Sequence, residues 1–143
     1  MKISTKGRYA LRMMVYLAQN QGEGCVSLKE ISERENVSKK YLELIVSSLL
    51  HGKLLTAERG FQGGYRLAKA PDKITVGEIL RITEGSLAPV ACLENDPQGC
   101  ERRGECATLF LWQELDRRIE EYLDSVTLQD IMDRQTAAND YMI

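Results

Sequence analysis

Three cysteines, Cys92, Cys100 and Cys106, stand in the spacing Cys-x7-Cys-x5-Cys within one polar, glycine-containing stretch. Thiolates are soft ligands, and three of them on one short loop can converge on a single metal centre. An iron–sulfur cluster, [2Fe–2S] or [4Fe–4S], and zinc are both compatible with three cysteines and one further donor. For that fourth position the same stretch offers Glu94, Asp96, Glu101, Glu105 and Thr108, besides water or a small thiol. A weakly held fourth site makes a centre labile, which suits a sensor better than an electron carrier. The spacing is not the Cys-x-x-Cys of thiol–disulfide exchange. The chain also has no nucleophile–base pairing, no phosphate loop and a single histidine, His51, so an enzyme is not expected. Cys25, alone after Gly24, reads as a small residue in a turn.

Those thiols need a scaffold. A chain of 143 residues is long enough for one domain with an appendage, or for two small lobes. Apolar residues make up 43% and charged residues 28%, the balance of a globular protein rather than a disordered one. No run of 18 apolar residues is present, so no membrane span is expected. The first residues lack the continuous apolar core of a signal peptide. A cytoplasmic location is therefore the expectation, and in a reducing compartment clustered cysteines bind metal or do redox chemistry more often than they form disulfides. The net charge of −2 conceals a split. Residues 1–73 carry 13 Lys/Arg against 7 Asp/Glu, a charge of +6, whereas residues 74–143 carry 6 against 14, a charge of −8. Such an asymmetry predicts that the first half alone meets a polyanion.

Apolar residues at Tyr9, Ala10, Met13, Met14, Leu17 and Ala18 recur at three- and four-residue steps, which predicts a helix from about Ser4 to Asn20. Ser27-Leu-Lys-Glu30 has the pattern of a capping box and opens a short helix ending near Asn36. Ser38 can cap a third helix running to about His51, with Leu42, Ile45, Val46 and Leu49 inward. Two helices joined by a tight turn, the second one long, have helix-turn-helix spacing. Residues 54–58 and 65–68 are strand candidates around Arg59-Gly-Phe-Gln-Gly-Gly64, where glycines permit a tight reversal, and a hairpin placed there is a wing. Thr75-Val-Gly-Glu78 is a second capping box, opening a helix that stops at Gly85. After the cysteine loop, Leu109, Trp112, Leu115, Ile119, Tyr122 and Leu123 form an apolar stripe on a helix of about 18 residues that needs a partner surface. Thr127 caps a short last helix, followed by a polar tail.

The expected fold is mainly α with a small β-hairpin wing. A winged helix-turn-helix lobe spans 1–86, a cysteine-bearing sensor loop spans 87–106, and 107–143 hold a long dimerisation helix and tail. On the third helix Ser38, Lys39 and Lys40 occupy the first turn, where backbone N–H and ammonium groups can hold phosphate. Glu43 can accept from cytosine N4 in the major groove, Tyr41 can reach a phosphate or sugar, and Leu44 can touch a thymine methyl or pack under the wing. Arg59 and Gly60 at the wing tip suit a narrow minor groove. Lys2, Lys6, Arg8 and Arg12 add backbone contacts from the first helix.

The run Met1-Lys-Ile-Ser-Thr-Lys-Gly-Arg-Tyr9, the helix with Ser38 and Tyr41-Leu-Glu43, the wing Arg59-Gly60 with Gly63-Gly64-Tyr65, and Thr75-Val-Gly-Glu-Ile79 resemble the IscR/NsrR/CymR family. These are bacterial winged-helix transcriptional regulators, many of them iron–sulfur sensors. The resemblance spans nearly the whole chain. It implies a homodimer built through the helix around 106–124, bound to a palindromic operator of double-stranded DNA. The three cysteines match the positions where cluster-bearing members place their thiolates, with two extra residues between the first and the second. A [2Fe–2S] cluster is favoured over [4Fe–4S]. Where the iron–sulfur biogenesis regulators have a histidine ligand three residues after the last cysteine, this chain has Leu109. Where the nitric-oxide sensors use an N-terminal aspartate, it has Arg8. The fourth ligand is thus left open.

A cluster-free alternative stands beside this reading. The end Asn139-Asp-Tyr-Met-Ile143 is similar to the tail of the cysteine-metabolism regulators of the same family, whose corepressor is a cysteine synthase. That makes cysteine synthase a candidate partner through the C-terminal tail.

Overall fold

A computed structural model describes residues 2–94 and 103–141. Among them lie six α-helices and one antiparallel hairpin: α1 (Thr5–Asn20), α2 (Leu28–Glu35), α3 (Lys39–His51), β1 (Leu55–Glu58), β2 (Gly64–Leu67), α4 (Val76–Glu84), α5 (Leu109–Ser125) and α6 (Leu128–Tyr141). The winged-helix fold expected from the sequence is present. No helix among the described residues is long and apolar enough to cross a membrane.

Each helix of the first lobe starts where a short polar side chain can satisfy open backbone donors. Ser4 accepts from the Gly7 N–H at 3.0 Å, and Ser38 accepts from Tyr41 at 3.2 Å. Thr75 and Glu78 form a complete capping box. At α2 only half of the expected box exists. Ser27 accepts from the Glu30 N–H at 3.1 Å, but the Glu30 carboxylate accepts from the Tyr16 hydroxyl at 2.6 Å instead of reaching back. A tertiary donor has displaced a local one. Asn36 then ends α2 in the left-handed region at φ +54°, which turns the chain into α3.

The core of this lobe is built from Ala10, Met13, Met14 and Leu17 of α1, Ile31 of α2, and Leu42, Ile45, Val46 and Leu49 of α3. The hairpin closes it through Leu55 and Leu67, which pair across the strands. Val26 adds an isolated rung that the sequence pattern did not reveal: its N–H and C=O exchange bonds with Tyr65, both 2.8 Å. A Cβ at position 64 would overlap the Val26 carbonyl, so glycine is what lets this segment lie against the wing.

The last helix departs from expectation. A short helix and polar tail were expected after Thr127, yet α6 runs 14 residues to Tyr141. Its start is fixed by reciprocal bonds between Thr127 and Asp130, at 2.9 and 3.1 Å. Leu128 is fully buried in the core of the first lobe, and the Leu128 N–H donates to Ile74 at 3.0 Å. Val76 likewise donates to Val126 at 2.9 Å. The span 107–143, expected to hold a dimerisation helix and a tail, thus contains two helices with different neighbours: α5 packs on α4, and α6 packs against α1.

A second, smaller cluster joins α4 to α5. Val76, Leu80 and Leu87 pack with Ile119, Leu123 and Val126. Above it the Arg81 guanidinium makes two bonds to the Asp124 carboxylate, each 2.8 Å. A side chain at Gly77 would meet the Asp124 carboxylate, so the glycine leaves room for this pair as it stands. Arg81 holds the Asp124 carboxyl below its usual range. A carboxylate with a depressed folded-state pKa stabilises above its unfolded value, about 3.9 for aspartate, and loses that contribution as pH falls through the folded value. Both groups are more than a third exposed, so Asp124→Asn is expected to cost no more than about 1 kcal/mol at pH 7. The difference between variant and parent should vanish in urea titrations well below pH 4.

Candidate DNA-reading face and cysteine loop

The buried stripe of α3 sets the opposite face outward. Ser38, Lys39, Lys40, Glu43, Leu44 and Ser47 are all exposed, and Leu44, at 61% exposure, is not packed under the wing. Tyr41 is half-buried, its ring edge-on to Tyr9 with centroids 6.0 Å apart. That stacking anchors the first turn of α3 to α1. Lys6 donates to Ser48 at 3.2 Å and makes a second tie between the same helices.

The basic residues of α1 and of the segment before it differ in what they touch. Lys2 and Arg8 are exposed, Arg8 making one long bond of 3.4 Å to Thr5. Arg12 is also engaged within the chain. It is paired with Glu35 at 2.6 Å and lies over the Tyr9 ring, 5.1 Å from its centroid. Its charge already holds α1 to the end of α2.

The wing tip is a tight turn in which the Gly63 N–H donates to the Gly60 carbonyl at 3.0 Å. Gly60 has φ +111°, a conformation that a side chain would disfavour. Arg59 and Phe61 project from this turn into solvent. Cys25 is more than a small turn residue: its thiol donates to the Gln62 carbonyl at 3.1 Å and ties the α1–α2 connection to the wing. The sequence carried no signal for that contact, because 37 residues separate the partners.

Of the three clustered cysteines, two lie among the described residues. Cys92 sits half-buried on a short turn, Ala91–Leu93, that packs on α5. Cys106 is half-buried just before α5, with its sulfur 3.5 Å from the Thr108 hydroxyl. The Thr108 hydroxyl and the backbone N–H groups of Thr108 and Leu109 hold the Cys106 thiol below its usual range. The thiolate is the form that binds metal, so this sulfur fits a soft-metal ligand. Cys100, Asp96 and Glu101 lie outside the described residues. Glu94 and Glu105 are exposed, and Leu109 is half-buried in the first turn of α5. Among the described residues no three His, Cys, Asp or Glu side chains come together as an ion site.

The apolar stripe of α5 is divided. Ile119 and Leu123 pack on α4 of the same chain, and Leu109 and Trp112 are half-buried on the adjoining part of that face. Leu115 and Tyr122 remain exposed, at 40% and 66%, together with Leu111 and Phe110, which the stripe did not include. Leu111, Leu115 and Tyr122 follow steps of four and seven and so share one side of the helix. Beside them Glu114 accepts from Arg117 and Arg118, which hold its carboxyl down to about 2.

Known proteins resemble this chain in sequence and fold. The Rrf2 family model, described as an iron-dependent transcriptional regulator, matches residues 3–134. The chain is 45% identical over 131 residues to the HTH-type transcriptional regulator CymR of Bacillus subtilis, covering 92% of this chain and 89% of that one. It is 39% identical over 132 residues to the regulator IscR of Aliivibrio salmonicida, covering 92% and 77%. Among solved structures, CymR (YrzC), the global cysteine regulator of B. subtilis, superposes with a TM-score of 0.77 at 42% identity, covering 94% of this chain and 98% of that one. T. potens IscR gives 0.76 at 39% identity, covering 96% and 90%.

Proposed function

The chain belongs to the Rrf2 family of DNA-binding transcriptional regulators, and on that premise we propose that it acts as a cytoplasmic homodimer whose operator binding answers to an iron–sulfur cluster held by Cys92, Cys100 and Cys106. The observation that carries this reading is the placement of Cys92 on a turn packed against α5 and of Cys106 at the foot of the same helix, which also presents an exposed apolar side. Leu111, Leu115 and Tyr122 of two copies would meet there, with Phe110 at the edge. Two recognition helices could then enter successive major grooves of a palindromic operator. Lys39 and Lys40 would hold phosphates, and Glu43 would accept from a cytosine amino group. Arg59 would lie in the minor groove, with Lys2, Arg8 and Tyr41 along the backbone.

When bound, such a cluster supplies redox-sensitive iron–thiolate chemistry, with [2Fe–2S] favoured. The residues of the chain give that chemistry a route to DNA. Cys92 lies on a turn packed against α5, and Cys106 precedes its first turn. Arg81 and the Leu80 cluster fasten α5 to α4, and α4 packs on both α1 and α3. Drawing Cys92 and Cys106 together would therefore set the tilt of α5 and the separation of the two recognition helices. Coupling of this kind is reciprocal and commonly worth about 5–150-fold in affinity.

The test is the visible spectrum, with iron, sulfide and zinc content, of protein purified without oxygen. It is paired with operator affinity of the loaded and cluster-free forms. Cys106→Ser is expected to lose the cluster and to fix affinity at the cluster-free value. Equal affinity of both forms for the same operators would end the switch reading.

Similarity to the global cysteine regulator of B. subtilis favours a second reading, a regulator of sulfur metabolism; in that reading we propose that no cluster is held and that a cysteine synthase binds the C-terminal tail. Met142 and Ile143 lie outside the described residues. A colourless protein that captures the synthase, and loses it when these two residues are deleted, would support this alternative; unchanged capture would discard it.

A further inference from the structure

Phe61 is fully exposed, at 103%, and supports nothing in its own chain. We propose that Phe61 enters the minor groove beside Arg59 and presses its ring against the base step there, so that operator affinity depends on how easily that step opens. This rests on the DNA-binding role of the wing.

The tip that carries the ring is held without it. The Gly63-to-Gly60 bond closes a turn with Phe61 and Gln62 at its two central positions. The Cys25 thiol fixes the Gln62 carbonyl, and the two backbone hydrogen bonds between Val26 and Tyr65 fix the strand behind it. The ring is thus presented on a rigid support, with only its two side-chain torsions left to lose on binding.

The surroundings select the occupant. A protein partner would need a contiguous apolar patch. The other large apolar residues exposed among those described are Leu44, on the recognition helix, and Phe110, Leu111, Leu115 and Tyr122, all on α5. One isolated ring beside an exposed arginine, on a wing that follows the basic face of α3, fits a nucleic acid better. Apolar wedges enter minor grooves at flexible pyrimidine–purine steps, where unstacking costs least, and arginine favours the negative potential of the same groove.

The probe is a duplex selected by the full-length protein from a random-sequence library, made with either a TA or an AA step where the wing falls. Phe61→Ala is expected to melt at the parent temperature, to bind the TA duplex about tenfold more weakly, and to lose the preference for TA over AA. Its affinity should fall with salt as steeply as the parent's, whereas Arg59→Ala should lower that slope. Unchanged affinity and step preference in Phe61→Ala would overturn the proposal, as would a loss that is equal for both duplexes. If the parent protein binds selected and scrambled duplexes alike, the DNA-reading premise fails instead.

Discussion

Leu128→Ala is expected to destabilise the protein by about 2–5 kcal/mol, as read from urea unfolding of the full-length chain. Leu128 is at 0% exposure in the core of the DNA-reading lobe, although it follows α5 in sequence. Removing its branched end leaves a cavity beneath Ile74, in a seam closed by the Leu128–Ile74 and Val76–Val126 backbone bonds. Those bonds cannot shift to fill the space without breaking. A small domain has a total stability of about 5–15 kcal/mol, so this one truncation removes a large fraction of it. DNA binding should fall with the folded fraction and recover under stabilising osmolyte. A cost below about 1 kcal/mol would mean that the seam collapses freely and that α6 is only loosely attached.

Replacing Lys39 and Lys40 together by alanine is expected to weaken operator binding on the order of a hundredfold or more at 0.1 M salt. Both side chains are exposed in the first turn of α3, and no ion pair among the described residues engages them. A dimer presents the pair twice. Each neutralised phosphate contributes about 0.9 to the salt slope, so the double variant should lower that slope by roughly three to four. The loss should be nearly equal for operator and random duplex. Glu43→Ala should behave in the opposite way, relaxing discrimination by about 1–3 kcal/mol at one base pair with little change in salt dependence. An unaltered salt slope in the double lysine variant would remove α3's first turn from the phosphate contacts.

The reading lobe was legible in the sequence because its signals are local. Ser4, Ser38 and Thr75 announce helix starts within three residues, and the α3 stripe of Leu42, Ile45, Val46 and Leu49 announces its buried face. The glycines around Phe61 announce the reversal between two short strands. What stayed hidden depends on distant partners. Glu30 gives up its capping bond to Tyr16, Arg12 gives its charge to Glu35, and Cys25 reaches the wing at Gln62. The stripe of α5 shows the same limit differently. Helical spacing defines a face, but it does not say that Ile119 and Leu123 are spent on the chain's own α4 while Leu115 and Tyr122 are left for something else. The cysteine loop differs again: its sequence offers soft ligands, since ligand type is written in side chains, but convergence is not written there, and among the described residues no three such side chains come together.

The return of α6 has a consequence for the order in which the protein is made. Gln19 of α1 bonds to Gln135 of α6 across 116 positions, and the core around Ile74 waits for Leu128. Contacts so distant form late, after the loop between them has been closed. At the ribosome the wing and recognition helix emerge first, yet their lobe stays incomplete until residues beyond 128 have left the exit tunnel. By then α5 has emerged as well. A nascent chain therefore completes its first lobe only after the exposed apolar side of α5 has emerged as well.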